Sequence, residues 1–130
     1  NPAVSKSAVG WHIQHSLLVA FQIIHTVEKS NPLDYRYQFN LRKILVYTLS
    51  KIPRGKAKAP DRVMPKEAFN TGELKKDIEL LKSRLTVLNS LHPKSFFRHP
   101  YFGSLHLKDT IKMLKLHSRH HLDIINDIIG

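Results

Sequence analysis

From Leu107 onward, the end of the chain places Thr110, Leu114, His117, His121, Ile124 and Ile128 at alternating intervals of four and three residues. That spacing is one stripe of an α-helix. The stripe is apolar except at its middle, where two histidines stand four apart. Side chains four apart project the same way from successive turns, so this pair can hold one metal ion between them. A seam that spends two consecutive inward positions on imidazoles must give them partners, because a buried polar group without one is costly. A metal site is the strongest reason for the pattern, and it requires another helix to face this one.

The rest of the chain supplies candidates. Ser7 is placed to cap a helix from about Ala8 to Lys29, whose apolar positions Trp11, Leu18, Phe21 and Ile24 wrap widely enough to predict burial. Ser30-Asn31-Pro32 stops it. Tyr37, Leu41, Ile44, Leu45, Thr48 and Ile52 predict a second helix over Asp34–Ile52, with Arg36, Arg42 and Lys43 on a solvated face. Pro53 ends it. Residues 53–70 then lack helical period and carry Arg54, Lys56, Lys58, Arg62 and Lys66. A loop this long is either a mobile basic segment or a lid that attracts an anionic ligand. Gly55 does not have the glycine spacing of a nucleotide-binding loop. Thr71 is placed to cap a third helix, Gly72–Leu91, with Leu74, Ile78, Leu81, Leu85 and Leu88 as its seam. His92-Pro93 closes it. The connection that follows holds Phe96, Phe97, Tyr101 and Phe102, suited to plugging one end of a core, and the last helix starts near Ser104. No strand alternation or repeat is visible. The expectation is an all-α four-helix bundle forming a single domain over residues 1–130.

Composition limits the function. Hydrophobic residues make up 42% and charged residues 24%, which suits a folded globular domain. No apolar run reaches the roughly 20 residues of a membrane span, and the start does not read as a signal peptide. The chain opens on Asn1 rather than methionine, as a processed or trimmed chain would. The absence of cysteine excludes disulfides, thiolate ligands and a cysteine nucleophile. It fits a reducing compartment, and a cytoplasmic location is expected. Lys and Arg total 21 against 10 Asp and Glu, a net charge of +11. That balance suits a phosphorylated or carboxylated small molecule, or a polyanion. The charges are spread along the chain and no nucleic-acid motif appears. A non-enzymatic basic module for nucleic acid or another polyanion is therefore the second reading.

Nine histidines exceed the roughly three that ordinary usage would give. His15 shares a stripe with Trp11, Leu18 and Gln22 and is read as inward-facing; His12 is the alternative from the same helix. His25 lies about 15 Å further along the axis and cannot share an ion with His15. His120, about 100° round from His121, is an alternative partner of His117, a pocket-edge group or an exposed residue. His92, His99 and His106 have no matched partner. Neutral imidazoles bind zinc at about 2.0–2.1 Å, and three of them leave a coordination position for water or substrate. Glu-x-x-His pairs, HExxH and serine-nucleophile motifs are absent, and Asp123 and Asp127 lie on the other side of the last helix. His12 and His120 are the candidate catalytic groups.

The stretches VGWHIQHSLLV, SNPLDYRYQFN, IPRGKAKAP, HPYFG and HSRHHLDIINDI together resemble the DinB/YfiT-like superfamily of metal-binding four-helix bundles, in particular an uncharacterised bacterial branch. The resemblance spans nearly the whole chain. It implies a divalent ion, zinc or nickel, on one histidine of an early helix and two of a late one, which carries over to His15, His117 and His121. In many relatives the early ligand falls where this chain has Val19, which keeps His12 open. Relatives usually have a further helix before the tryptophan-bearing one. The resemblance also implies a metal-dependent transferase, isomerase or hydrolase acting on a small molecule, with an anionic thiol as the expected substrate or cosubstrate. A homodimer is compatible with it, and neither nucleic acid nor membrane is an expected partner.

Overall fold

The computed structural model describes residues 1–55, 58–65 and 70–130. Lys56 and Lys66 of the basic loop lie outside the described residues. The architecture is mainly α, with one small antiparallel hairpin.

Helix α1, Val9–Lys29, has nearly the expected span, but of the expected apolar positions only Ile24 is buried; Trp11 and Phe21 are partly covered, Leu18 is exposed, and Leu17, Ala20, Ile23 and Val27 make up the rest of the buried apolar face. Ala8 occupies its N-cap without a side-chain cap, so Ser7 does not serve that role. At the other end the Ser30 hydroxyl donates to the Val27 carbonyl and accepts the Phe96 amide. One serine thus closes the helix and fastens it to the hairpin.

Helix α2 spans only Leu41–Leu49, not Asp34–Ile52. A short 3-10 turn at Pro32–Asp34 precedes it, and residues 35–40 form neither helix nor strand, with extended backbone at Tyr35 and Asn40. The aromatic-rich run Tyr35 to Phe39 does not favour helix, and its neighbours tie it to the hairpin. Gln38 Oε1 accepts the Ser104 amide, and Asn40 Nδ2 donates to the Tyr101 carbonyl. Asn40 then caps α2 by accepting the Lys43 amide. The expected α2 seam is mostly exposed: Tyr37, Leu41 and Leu45 face solvent and Val46 is buried instead. Two contacts fix α2 to the last helix. Tyr47 Oη donates to the Asp109 carbonyl at 2.6 Å, and Lys43 Nζ meets the Asp109 carboxylate at 3.1 Å.

Helix α3, Thr71–Leu85, is capped by Asn70 rather than Thr71 and passes into a 3-10 segment, Thr86–Ser90. Leu74 and Leu88 are its buried positions. It packs on α1, where Arg84 pairs with Glu28.

The aromatic connection forms strands, against the expectation of none. Strand β1, Phe96–His99, pairs with β2, Gly103–His106, in the register Phe96↔His106 to His99↔Gly103. Four-residue strands are too short to display a clear alternation in sequence. Phe97 and Leu105 face each other across the ladder and are buried with Phe102, so the aromatic cluster does close one end of the core.

Helix α4, Leu107–Ile129, buries Thr110, Leu114, His121 and Ile124 of the expected stripe, with His117 and Ile128 partly covered. His106 caps it by accepting the Asp109 amide. Helices α1 and α4 pack antiparallel: the start of α1 meets the late turns of α4, while the end of α1 and the start of α4 both join the hairpin. Ile24, Val27, Leu105 and Thr110 are the fully buried centre of that packing. No helix among the described residues is long and apolar enough to cross a membrane.

Candidate metal centre

The antiparallel packing brings the first two turns of α1 against the third and fourth turns of α4. His15 and His121 are buried there and His117 is partly covered. Each can present one ring nitrogen, and these three nitrogens lie within 4.8 Å of one another. Two nitrogens on one tetrahedral zinc sit roughly 3.3 Å apart. The rings therefore need only a short inward rotation to share an ion.

Surrounding groups orient the rings of His15 and His121. His15 Nδ1–H donates to the Val63 carbonyl at 2.8 Å, which turns its Nε2 lone pair toward the cluster. Such a backbone carbonyl on the remote nitrogen is the usual orienting partner of a metal-binding histidine. The Trp11 ring lies parallel to His15 at 4.9 Å and holds its plane. His121 Nδ1 is 2.9 Å from His12 Nδ1, leaving His121 Nε2 for the cluster. His12 Nε2 in turn meets Ser5 Oγ at 3.0 Å. His117 makes no protein hydrogen bond among the described residues, and its ring stands 4.6 Å from that of His121.

Electrostatics suits ligation. Burial lowers the pKa of His15 and His121, and it brings His117 down to about 3, with His15, His120 and His99 adding to the effect. All three are neutral at pH 7, the form that binds a metal. The donor set fits a divalent borderline ion such as zinc.

The cluster opens into a cleft of about 1140 Å³. Trp11, Val19, Phe97, Tyr101 and Met113 give it an apolar floor, and Lys6, Arg42, Lys58, Arg62 and Arg98 stand along it. No carboxylate lines it among the described residues.

The remaining histidines fall into place around this site. His12 is not part of the three-nitrogen cluster; its Nδ1 is turned to His121 from behind. His120 is half-buried and lines the edge of the cleft as well as a small pocket with Ile52 and Arg54. Val19, where many members of the resembled superfamily carry the early histidine, also lines the cleft. His25 is exposed. His92, His99 and His106 accept backbone amides through Nδ1, at Lys94, at Tyr101 and Phe102, and at Asp109. The sequence reading missed Val63. Its one visible signal is an apolar Val63-Met64 pair inside an otherwise basic, proline-rich loop.

Comparison with known protein families, curated proteins and solved structures finds no match to this chain.

Proposed function

We propose that the chain is a metal-dependent enzyme of the DinB-like kind, a four-helix bundle with one divalent ion, zinc or nickel, held by His15, His117 and His121. The observation that carries this is the convergence of three neutral imidazole nitrogens within 4.8 Å, from two helices far apart in sequence. Val63 and Trp11 support it, because they orient His15 as a ligand requires.

The ion would supply Lewis acidity, lowering the pKa of a bound water or substrate thiol. The residues of this chain do the rest. Three neutral ligands leave the ion's charge uncompensated, and the surrounding lysines and arginines add to it. The site therefore favours an anionic substrate. The apolar floor suits a substrate with a non-polar body, in line with a small anionic thiol or a related acid. His12 holds His121 by its far nitrogen, which makes it a positioning residue. His120, on the cleft's edge, is the residue placed to exchange a proton with a bound molecule.

Metal analysis of the full chain, purified without a histidine tag, tests the reading. About one zinc or nickel per chain is expected. Loss of the metal in His117→Ala with an unchanged circular dichroism spectrum would support the site. Native protein that neither carries nor takes up a divalent ion would overturn it.

A further inference from the structure

His99 lies outside the three-nitrogen cluster, yet its surroundings are specific. It ends β1, opposite Gly103. Its Nδ1 accepts two backbone amides, Tyr101 N–H and Phe102 N–H, both at 3.1 Å. A nitrogen that accepts both carries no proton, so the hydrogen of neutral His99 is on Nε2. The ring is stacked on Phe102 at 4.2 Å with 10° between planes, and Phe97 meets it edge-on at 6.2 Å. It cannot rotate without losing the stack and both amides.

Nε2–H has no protein acceptor among the described residues. Among the described residues no side-chain nitrogen is sealed in the core without a partner, and His99 is only partly buried. The solvent space that His99 lines is the cleft it shares with His15, His117 and His121. Burial lowers its pKa to about 4, so it stays neutral at physiological pH.

We propose that His99 is a fixed hydrogen-bond donor, through Nε2–H, to the anionic atom of a ligand bound at the three-histidine centre. The inference rests on the metal reading above and deepens it by assigning the ligand's second point of attachment. A carboxylate, thiolate or comparable small anion would be held between the ion and a neutral N–H. Because the donor is neutral and its ring is held in place, it selects by direction, where the lysines and arginines that line the cleft select by charge.

Cobalt-loaded full-length chain titrated with azide, followed by its visible absorption, tests this. His99→Asn keeps an acceptor two and three residues before the Tyr101 and Phe102 amides, as an Asx turn does, but removes Nε2–H. His99→Gln reaches the position of Nε2 with an amide donor. Unchanged cobalt affinity is expected in both. The azide dissociation constant should rise about tenfold in His99→Asn, equivalent to about 1.4 kcal/mol, and much less in His99→Gln. Equal azide affinity in wild type and His99→Asn, with cobalt bound in both, overturns the proposal alone. A wild-type chain that takes no cobalt overturns the metal reading and this inference with it. If His99→Asn does not fold, nitrogen-15 NMR of the zinc-loaded wild type decides. A His99 Nε2–H resonance that shifts with azide upholds the contact, and one that azide leaves in place refutes it.

Discussion

In the proposed site, removing His15, His117 or His121 takes away one of three candidate donors, whereas removing His12 takes away only the group behind His121. Each alanine variant of the three is expected to lose stoichiometric metal. His12→Ala should retain the ion with about 10–100-fold weaker affinity, the usual effect of losing an orienting partner. Competition against a chromophoric chelator separates the two outcomes, and equal loss in all four would make His12 a ligand. The sequence could indicate an inward histidine on the first helix, but not which one, because His12 and His15 lie three apart and share a face. The difference comes from Val63, 48 residues away, whose carbonyl claims His15 Nδ1. His99 also gives a pH signature in the metal-free protein. Its pKa is about 4 folded against 6.5 as the ordinary value. Between those values the unfolded chain binds a proton that the folded chain refuses. The stabilising term is therefore complete above about pH 6.5 and declines as pH falls toward 4. Urea titrations from pH 7 to 5 should show stability falling with pH. In His99→Asn the slope should be shallower by up to about 1.4 kcal/mol per pH unit.

At the scale of elements, α1 and α4, each with one deeply buried face, are legible in extent, and the lightly buried α2 is not. The α4 stripe follows its spacing because six inward positions face α1 and the core. The expected second helix is wrong at both ends, because its periodic residues Tyr37, Leu41 and Leu45 stay largely exposed and the aromatic run before Asn40 is tied to the hairpin. The hairpin was invisible for a related reason: its strands are held by side chains remote in sequence. Gly103 marks the junction. Its φ of +73° disfavours any side chain, and a Cβ there would stand 2.8 Å from Gln38 Oε1, the acceptor of the Ser104 amide. Gly103→Ala should cost about 1–2 kcal/mol in chemical denaturation, mainly from the left-handed backbone. Tyr47→Phe, which removes the hydroxyl bond to the Asp109 carbonyl, should cost about 1 kcal/mol and loosen α2 against α4. Faster amide exchange in α2 than in α1 of that variant would locate the effect.

For the whole molecule, the proposed ligands come from near both ends of the chain, so a bound ion would cross-link the start of α1 to the late turns of α4. The unfolded chain lacks that preformed geometry, and metal binding therefore adds to folding stability. At a free zinc concentration 100 times the dissociation constant the gain is about 2.7 kcal/mol. For a chain of 130 residues this raises Tm by several degrees. Thermal scans should show the increase with zinc, its removal by a chelator, and its absence in a His15→Ala, His117→Ala double variant. The distribution of the effect matters as much as its size. The hairpin end of the core, around Phe97, Phe102 and Leu105, is already closed by apolar packing. Hydrogen exchange on adding zinc should therefore slow at the start of α1, at residues 61–63 and in the second half of α4, and change little in β1 and β2. Uniform protection across the chain would mean that zinc acts by general stabilisation rather than through a tie at this end.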